Sequence, residues 1–452
     1  MKVAKFGGTS LASAEQIKKV CAIIQADESR RLIVVSAPGK RFKEDTKVTD
    51  LLIAYAELAL AGKDAEEAKL LVVQRFTEIA EGLSLDKAII LQITAELIEM
   101  LERKSIKDPA RFLDQVKAAG EDTCAKLVAH YLRSLGLEAS YVNPFEAGLS
   151  VTEEAGNAQV LPEAYEKLRS LRDRREIVIF PGFFGYSTEG LLVTFSRGGS
   201  DITGSILAAA VQAELYENFT DVDSVYAVNP SLVEHPKEIH EITYREMREL
   251  SYSGFSVFHE EALYPAYRAG IPVCIKNTNN PAAPGTMIVS ERATTETHVS
   301  GIASDNGFCS IYVSKYLMNR EVGFGRKLLK ILEDEGLSYE HTPSGIDNIS
   351  VILRKKDFTE EIQNRVVQRI QQELQAEDIV VEQDLALVMI VGEGMRRSVG
   401  TSARATSALA KARVNLEMIN QGSSEVSMMF GVKEVDADRA VVALYEEFFG
   451  KA

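Results

Sequence analysis

The stretch Lys2-Val3-Ala4-Lys5-Phe6-Gly7-Gly8-Thr9-Ser10 decides how the rest of this chain is read. Its first five residues read as a short strand, and Gly7 to Ser10 as a turn. Ser13 then caps a helix, with Gln16 placed to complete a capping box. Such a strand–glycine–helix passage can hold an anion. Glycines carry no Cβ, so backbone N–H groups approach a charged oxygen closely. The helix N-terminus adds a favourable dipole, and Lys5 would set a positive charge against the same oxygens. Alone, a Gly-Gly pair is explained as well by a plain turn, so the reading needs support from elsewhere in the chain.

Working outward, Leu32-Ile33-Val34-Val35 is a continuous apolar run and predicts a fully buried strand. Similar runs stand at Ile177–Phe180, Leu191–Phe195, Leu215–Phe219 and Ile271–Ile275. Between them, residues 51–133 carry apolar positions at three- and four-residue spacing and predict mostly helix, punctuated by Pro109 and Gly120. Further helices are expected over 202–212 and 244–248. The cluster Asn280–Gly285 predicts a turn with one more strand behind it. Strands apolar on both faces, alternating with helices, predict an α/β three-layer sandwich with a mainly parallel sheet. Ligands bind such sheets at the carboxyl ends of their strands.

Two more segments could carry chemistry there. Phe195-Ser196-Arg197-Gly198-Gly199-Ser200-Asp201 also follows a strand and opens a helix. Arg197 offers a bidentate grip on a carboxylate, while Asp201 would be favourable in a first helical turn even without a function. Thr220-Asp221-Val222-Asp223-Ser224-Val225-Tyr226 follows the strand at 215–219. Its acids could meet Mg²⁺ through water and Tyr226 could pack on a base, although a polar loop is the plainer account. Glu121 reads as an acid starting a helix after Gly120, and Thr49 does not stand out. His259-Glu260-Glu261 lacks a second histidine at helical spacing and reads as a helix start. No GxxxxGK[ST] loop, protein-kinase motif set or GxGxxG turn is present in the sequence.

Past about residue 298 the elements shorten and a repeat emerges. Met318, Arg320, Val322, Gly323, Leu332, Glu340, Gly345 and Ser350 recur without gaps 77 positions later, as Met395, Arg397, Val399, Gly400, Leu409, Glu417, Gly422 and Ser427. Each copy reads strand, helix, strand, strand, helix. One copy alone would leave a sheet edge exposed, so the two are expected to pack together, and a homodimer or homotetramer is expected for the same reason.

Composition limits the partners. The 452 residues carry a net charge of −15, which argues against nucleic acid. The apolar runs are far shorter than a membrane span. Four scattered cysteines with no CxxC pair, and a first segment without the marks of a signal peptide, lead us to expect reduced thiols, a cytoplasmic location and no metal site.

Together and in this order, Lys5–Ser10 (KFGGTS), Arg197–Asp201 (RGGSD), Thr220–Val222 (TDV) and Asn420–Glu425 (NQGSSE) resemble the aspartokinases of the amino-acid-kinase family. The resemblance covers nearly the whole chain and, lacking a dehydrogenase extension, looks like the monofunctional type. It implies an amino-acid-kinase domain over 1–292, then two α+β ferredoxin-like ACT domains at 298–380 and 381–452, interleaved. It implies ATP with Mg²⁺ as the phosphoryl source and L-aspartate as acceptor, in the first step of lysine, threonine and methionine biosynthesis. In that reading Lys5, Gly7, Gly8, Thr9 and Ser10 bind the transferring phosphate, and Asp201 organises Lys5. Arg197, followed by Gly198, Gly199 and Ser200, takes the substrate α-carboxylate, Glu121 its ammonium, and Ser36 and Thr49 line the pocket. Thr220, Asp221 and Tyr226 contact ATP. An amino-acid effector, lysine in preference to threonine, is expected at Met318, Asn319, Val322, Gly323, Phe324, Tyr339, Glu340, Asp347 and Asn348. The nucleotide side departs from the family: its usual GAKVLH reads Gly254–His259 here, with Ser256 at the lysine position. Two alternatives therefore stand beside an active aspartokinase: a related kinase on the same fold, and an amino-acid sensor whose kinase site has lapsed.

Overall fold

The computed structural model describes residues 1–103, 108–196, 198–255, 258, 260–293, 298–396, 398–422, 424 and 426–450. The chain divides into two compact units. The first comprises 1–225, 238–247 and 256–292, and the second 226–237, 248–255 and 293–452.

The first unit is built on an eight-stranded sheet. Its order is Glu241–Thr243, Thr286–Val289, Val273–Asn277, Leu215–Thr220, Lys2–Phe6, Arg30–Val35, Ile177–Pro181, Ala139–Tyr141. The six strands from Val273–Asn277 to Ala139–Tyr141 are mutually parallel, and Thr286–Val289 joins antiparallel. The class expected from the apolar runs is what forms. Phe6, Ile33 and Val35 bury one face against the helices Ala14–Gln25, Val48–Leu60 and Pro109–Ser134. Burying large side chains of this kind contributes about 1.5–3 kcal/mol each. The strand Lys2–Phe6 is central, with Arg30–Val35 on one side and Leu215–Thr220 on the other. Below it, Arg30 grips the buried Glu217 through two hydrogen bonds of 2.6 and 2.9 Å.

Four local expectations need correction. Gly120 does not punctuate: it lies inside one helix, Pro109–Ser134, so Glu121 sits in mid-helix and not at a start. Glycine costs a helix about 1 kcal/mol, but here any Cβ would come within 2.8 Å of the Ala37 side chain, and close packing outweighs propensity. The run at 191–195 does not join the parallel sheet. Leu192–Thr194 pairs antiparallel with Phe184–Tyr186 in a separate hairpin. The capping box at Ser13 is half made: Ser13 accepts from the Gln16 N–H, but the Gln16 side chain turns to Asn279. Finally, the helix expected over 244–248 runs further, to Tyr252.

The second unit holds a five-stranded antiparallel sheet, in the order Asn348–Arg354, Gly301–Ser314, Asp378–Val391, Ser427–Lys433, Met418–Asn420. The 77-residue repeat is expressed in its centre. Gly301 pairs with Val391 and Ser314 with Asp378; Val391 is the repeat equivalent of Ser314, and Asp378 that of Gly301. The two long strands therefore pair about a local pseudo-twofold axis. One copy packs Phe324, Leu328 and Leu332 beneath the sheet and the other Ala405, Ala408 and Leu409. Gly323 (φ +80°) and Gly400 (φ +93°) open the equivalent helices in the left-handed conformation that favours glycine. The second strand of the first copy is reduced to isolated bridges, His341 with Ile352 and Ser344 with Ile349.

Candidate active site

Parallel strands bring their carboxyl ends to one edge, and here the turns leaving them are stitched together by backbone bonds. Gly7 N–H donates to Phe219 O (3.0 Å), Ser36 N–H to Phe6 O (3.2 Å), Gly182 N–H to Val35 O (3.0 Å) and Gly39 N–H to Gly8 O (2.8 Å). The Gly8–Gly39 approach leaves no room for side chains. A Cβ on Gly8 would lie 2.9 Å from Ala37 O, and one on Gly39 2.6 Å from the Gly8 carbonyl carbon. The loop carrying Gly39 is braced by buried Arg75, which donates to Gly39 O (3.2 Å) and Asp45 (2.8 Å). Its pair with Arg41 and Arg75 holds the Asp45 carboxyl well below the usual range.

Register decides what Lys5 meets. It lies beside Asn218 on the neighbouring strand. The buried Lys5 ammonium reaches Asp201 Oδ1 at 2.5 Å, and Asn218 Nδ2 donates to the same oxygen at 2.7 Å. Tyr216 OH donates to the Asp201 backbone carbonyl (3.2 Å). Lys5 and Asp201, 196 positions apart in the chain, are thus one unit. Asn218 was not singled out from the sequence. Its signal was there, since it is a polar residue inside the otherwise buried run Leu215–Thr220 and buried polar groups need partners.

The helix opening at Gly199 is set by contacts with the strand end at Pro181. Gly198 adopts φ +77° as its cap. A Cβ on Gly182 would meet Ser200 Oγ at 2.6 Å, and one on Gly199 the Phe183 ring at 2.5 Å. Phe183 itself has φ +76°, and its N–H donates to Thr203 Oγ1 (3.0 Å). Arg197 lies outside the described residues.

Glu121 projects from the middle of Pro109–Ser134. It is 5% exposed, and its Oε2 has no hydrogen-bond partner among the described residues. Burial pushes its carboxyl up to about 8. One turn before it, the Lys117 ammonium lies 3.3 Å from Asp114 and 5.6 Å from the centre of the Phe183 ring. Asp114, also missed from the sequence, is 1% exposed and accepts from Thr194 N–H (3.1 Å), Thr194 Oγ1 (2.6 Å) and Gly156 N–H (2.9 Å). It ties the helix to the hairpin that leads to residues 195–201. Ser36 and Thr49 are half-buried, the former just past its strand end and the latter in the first turn of Val48–Leu60.

On the nucleotide side, Thr9 is exposed, whereas Ser10 is buried with its hydroxyl hydrogen-bonded to Thr278 Oγ1 (2.6 Å). Thr220 and the exposed Asp221 end the strand Leu215–Thr220, hydrogen-bonded to each other at 3.2 Å. Tyr226 falls in the second unit. Ser256 and His259 lie outside the described residues.

In the second unit, the expected effector positions form two groups. Leu317 N–H donates to Asp347 Oδ1 (2.9 Å) and Asn319 N–H to Ile346 O (3.2 Å), so 317–319 and 346–348 are together. Met318 and Phe324 are core, and Val322 is 95% exposed. Glu340 is elsewhere. Its N–H bonds Ile352 O, four residues along the strand from Asn348 and so roughly 13 Å away. Half-exposed Tyr339 precedes it. Both Glu340 oxygens are engaged, by Tyr252 OH and by Arg354 Nε (3.1 Å), so an ammonium there would share the carboxylate with them.

A mainly parallel sheet with glycine turns around a lysine–aspartate pair at its carboxyl edge is an arrangement suited to a phosphate-binding α/β protein. Comparison with known proteins agrees. Residues 1–277 match the amino acid kinase family, and residues 388–448 match an ACT domain. The chain is 62% identical over 449 residues to aspartokinase 3 of Bacillus subtilis (strain 168), covering 99% of each. The crystal structure of Clostridium acetobutylicum aspartate kinase, described as an allosteric enzyme, aligns with a TM-score of 0.87 at 38% identity, over 99% of this chain and all of that one. Escherichia coli aspartokinase III in complex with lysine and aspartate (T-state) aligns with a TM-score of 0.76 at 25% identity, over 99% of each chain. The chain belongs to the aspartokinases of the amino acid kinase family, as its motifs implied.

Proposed function

We propose that this chain transfers the γ-phosphoryl group of ATP to the β-carboxylate of L-aspartate, giving 4-phospho-L-aspartate. The observation that carries this is the buried Lys5–Asp201–Asn218 cluster set between glycine turns at the carboxyl edge of the sheet. The acceptor is a carboxylate, already ionised at neutral pH, so the reaction needs alignment and charge neutralisation and not a general base. Lys5, fixed by Asp201, faces the charge that develops on the transferring group, and the Gly7 and Gly8 turn supports the phosphate oxygens. Arg197 and Glu121 bind the α-carboxylate and the ammonium, which leaves the β-carboxylate free to attack.

ATP enters as its Mg²⁺ complex. Among the described residues no group of three or more His, Cys, Asp or Glu forms a metal cage. Mg²⁺ keeps its waters and takes one or two carboxylates beside phosphate oxygens, and in this reading the exposed Asp221 would be one of them. The ion would neutralise charge on the β- and γ-phosphates.

Residues 1–292 form the catalytic region in this reading, and 298–452 the regulatory one, with lysine as the effector. The E. coli relative bound to lysine supports that choice. No helix among the described residues is long and apolar enough to cross a membrane, and we place the protein in the cytoplasm as a homo-oligomer. The test is ATP turnover with Mg²⁺ and L-aspartate, the acyl phosphate trapped as its hydroxamate, with and without lysine or threonine. Aspartate-dependent hydroxamate is the expected result, suppressed by lysine. ATP binding without turnover would point instead to a sensor.

A further inference from the structure

Among the described residues, Glu121 is a buried acid without a paired counter-ion. Its carboxyl lies in mid-helix against the turn that follows Arg30–Val35, and its Oε2 is sealed from solvent with no partner. Two cations act on it, Lys5 from the central strand and Lys117 from its own helix. Each is already committed to another acid, Lys5 to Asp201 at 2.5 Å and Lys117 to Asp114 at 3.3 Å. Its other neighbours among the described residues offer no charge. Cys124, on the next turn, is held as a neutral thiol by burial; the turn contributes the Ala37 backbone; and around Gly120 lie Val48 and Leu52. Asp122 is spent on a different face, with Lys126 (2.9 Å) and the Tyr141 hydroxyl. A buried carboxylate that lacks a paired cation takes up a proton in preference to remaining charged.

We infer that aspartate binding by this protein is proton-linked: Glu121 holds a proton in the ligand-free pocket and releases it to solvent when the substrate ammonium arrives. The inference rests on the reading of Glu121 as the ammonium ligand. The balance is simple. The O–H bond of Glu121 breaks, one proton leaves to the buffer, and the new carboxylate pairs with the ammonium, which keeps its own protons. Burial, which raises the Glu121 carboxyl to about 8, sets the range over which this is visible. It predicts that most of one proton is released per aspartate at pH 7, and a smaller fraction at pH 8.5. Apparent affinity should then rise about eightfold between pH 6.5 and 7.5.

The experiment is titration calorimetry of L-aspartate into the full-length protein, in buffers of different ionisation enthalpy at pH 7.0 and 8.5. A heat whose buffer dependence gives close to one released proton at pH 7, falling at pH 8.5, is the expected result. Saturable binding with no buffer dependence at pH 7 overturns the inference and leaves the kinase reading standing. No saturable aspartate binding overturns both. Glu121→Gln should abolish the proton release. Lys117→Met keeps the carboxyl but removes a cation that favours its ionised form, so release should persist to higher pH; an unchanged pH profile in that variant counts against the assignment.

Discussion

At the scale of single residues, the site is organised by charges that have few alternatives to one another. Lys5 is buried and fixed by Asp201, so Lys5→Ala removes a preorganised donor and also leaves the Asp201 carboxylate without its cation. Such donors contribute about 2.7–4 kcal/mol to the barrier, and we expect turnover in the hydroxamate assay to fall by two to three orders of magnitude. Glu121 has the opposite character, useful to the substrate and costly to the fold. Its folded-state value, about 8, lies above the ordinary 4.5. The folded protein therefore binds a proton that the unfolded chain has lost, and stability drains away as pH rises from about 4.5 to about 8. The cost reaches up to about 5 kcal/mol. Glu121→Gln should accordingly raise the thermal midpoint, and the gain should be larger at pH 8 than at pH 5. A gain that shrinks with rising pH would contradict the burial argument.

At the scale of elements, close backbone approach and buried side-chain anchors aim the strand ends. Gly39 lies against the Gly8 backbone, so Gly39→Ala forces two main-chain segments apart and not merely a side chain. Overpacking of this kind costs about 1–3 kcal/mol, and here it would displace the phosphate turn. Denaturant melts should show the loss, with a drop in kcat beyond what the stability change explains. Asp114 joins the helix Pro109–Ser134 to the hairpin strand Leu192–Thr194 through two hydrogen bonds from Thr194, and it also accepts from Gly156 N–H and pairs with Lys117 of its own helix. Asp114→Ala would strand those donors in the interior, at about 3 kcal/mol or more by the cost of breaking a buried pair. A shift smaller than about 1 kcal/mol in the unfolding free energy would mean that water replaces the carboxylate.

At the scale of the whole molecule, the repeat governs the second unit. Its constant 77-residue offset makes the two long strands pair about a local pseudo-twofold axis, yet the copies are not used alike. Glu340 is taken up by Tyr252 and Arg354, while its equivalent Glu417 accepts from Asn415 (2.8 Å). An effector ammonium at Glu340 would share that carboxylate with the Tyr252 hydroxyl, whose removal frees acceptor capacity. Tyr252→Phe should therefore lower the lysine concentration for half-maximal inhibition severalfold, read from the same hydroxamate assay. An unchanged or higher concentration would show that Glu340 is structural and that the effector binds through the 317–319 and 346–348 group alone.

The sequence by itself determined the class of sheet, because runs such as Leu32–Val35 are apolar on both faces and only a covered parallel sheet buries both. It also determined the place of the phosphate turn, since Lys5 and two glycines at a strand end have a local physical meaning, and it determined the repeat, which is a property of order alone. Tertiary structure decided the rest. Glycine inside a helix reads locally as a break, and only the Ala37 contact explains why Gly120 is accepted and Glu121 is buried behind it. The run at 191–195 is apolar enough for the main sheet, but its pairing with Phe184–Tyr186 is a choice among partners that no local pattern encodes. The Lys5–Asp201–Asn218 cluster joins residues about two hundred positions apart. Register across parallel strands sets Lys5 beside Asn218, the helix Gly199–Ala210 brings Asp201 to both, and each placement is set by packing over the whole sheet.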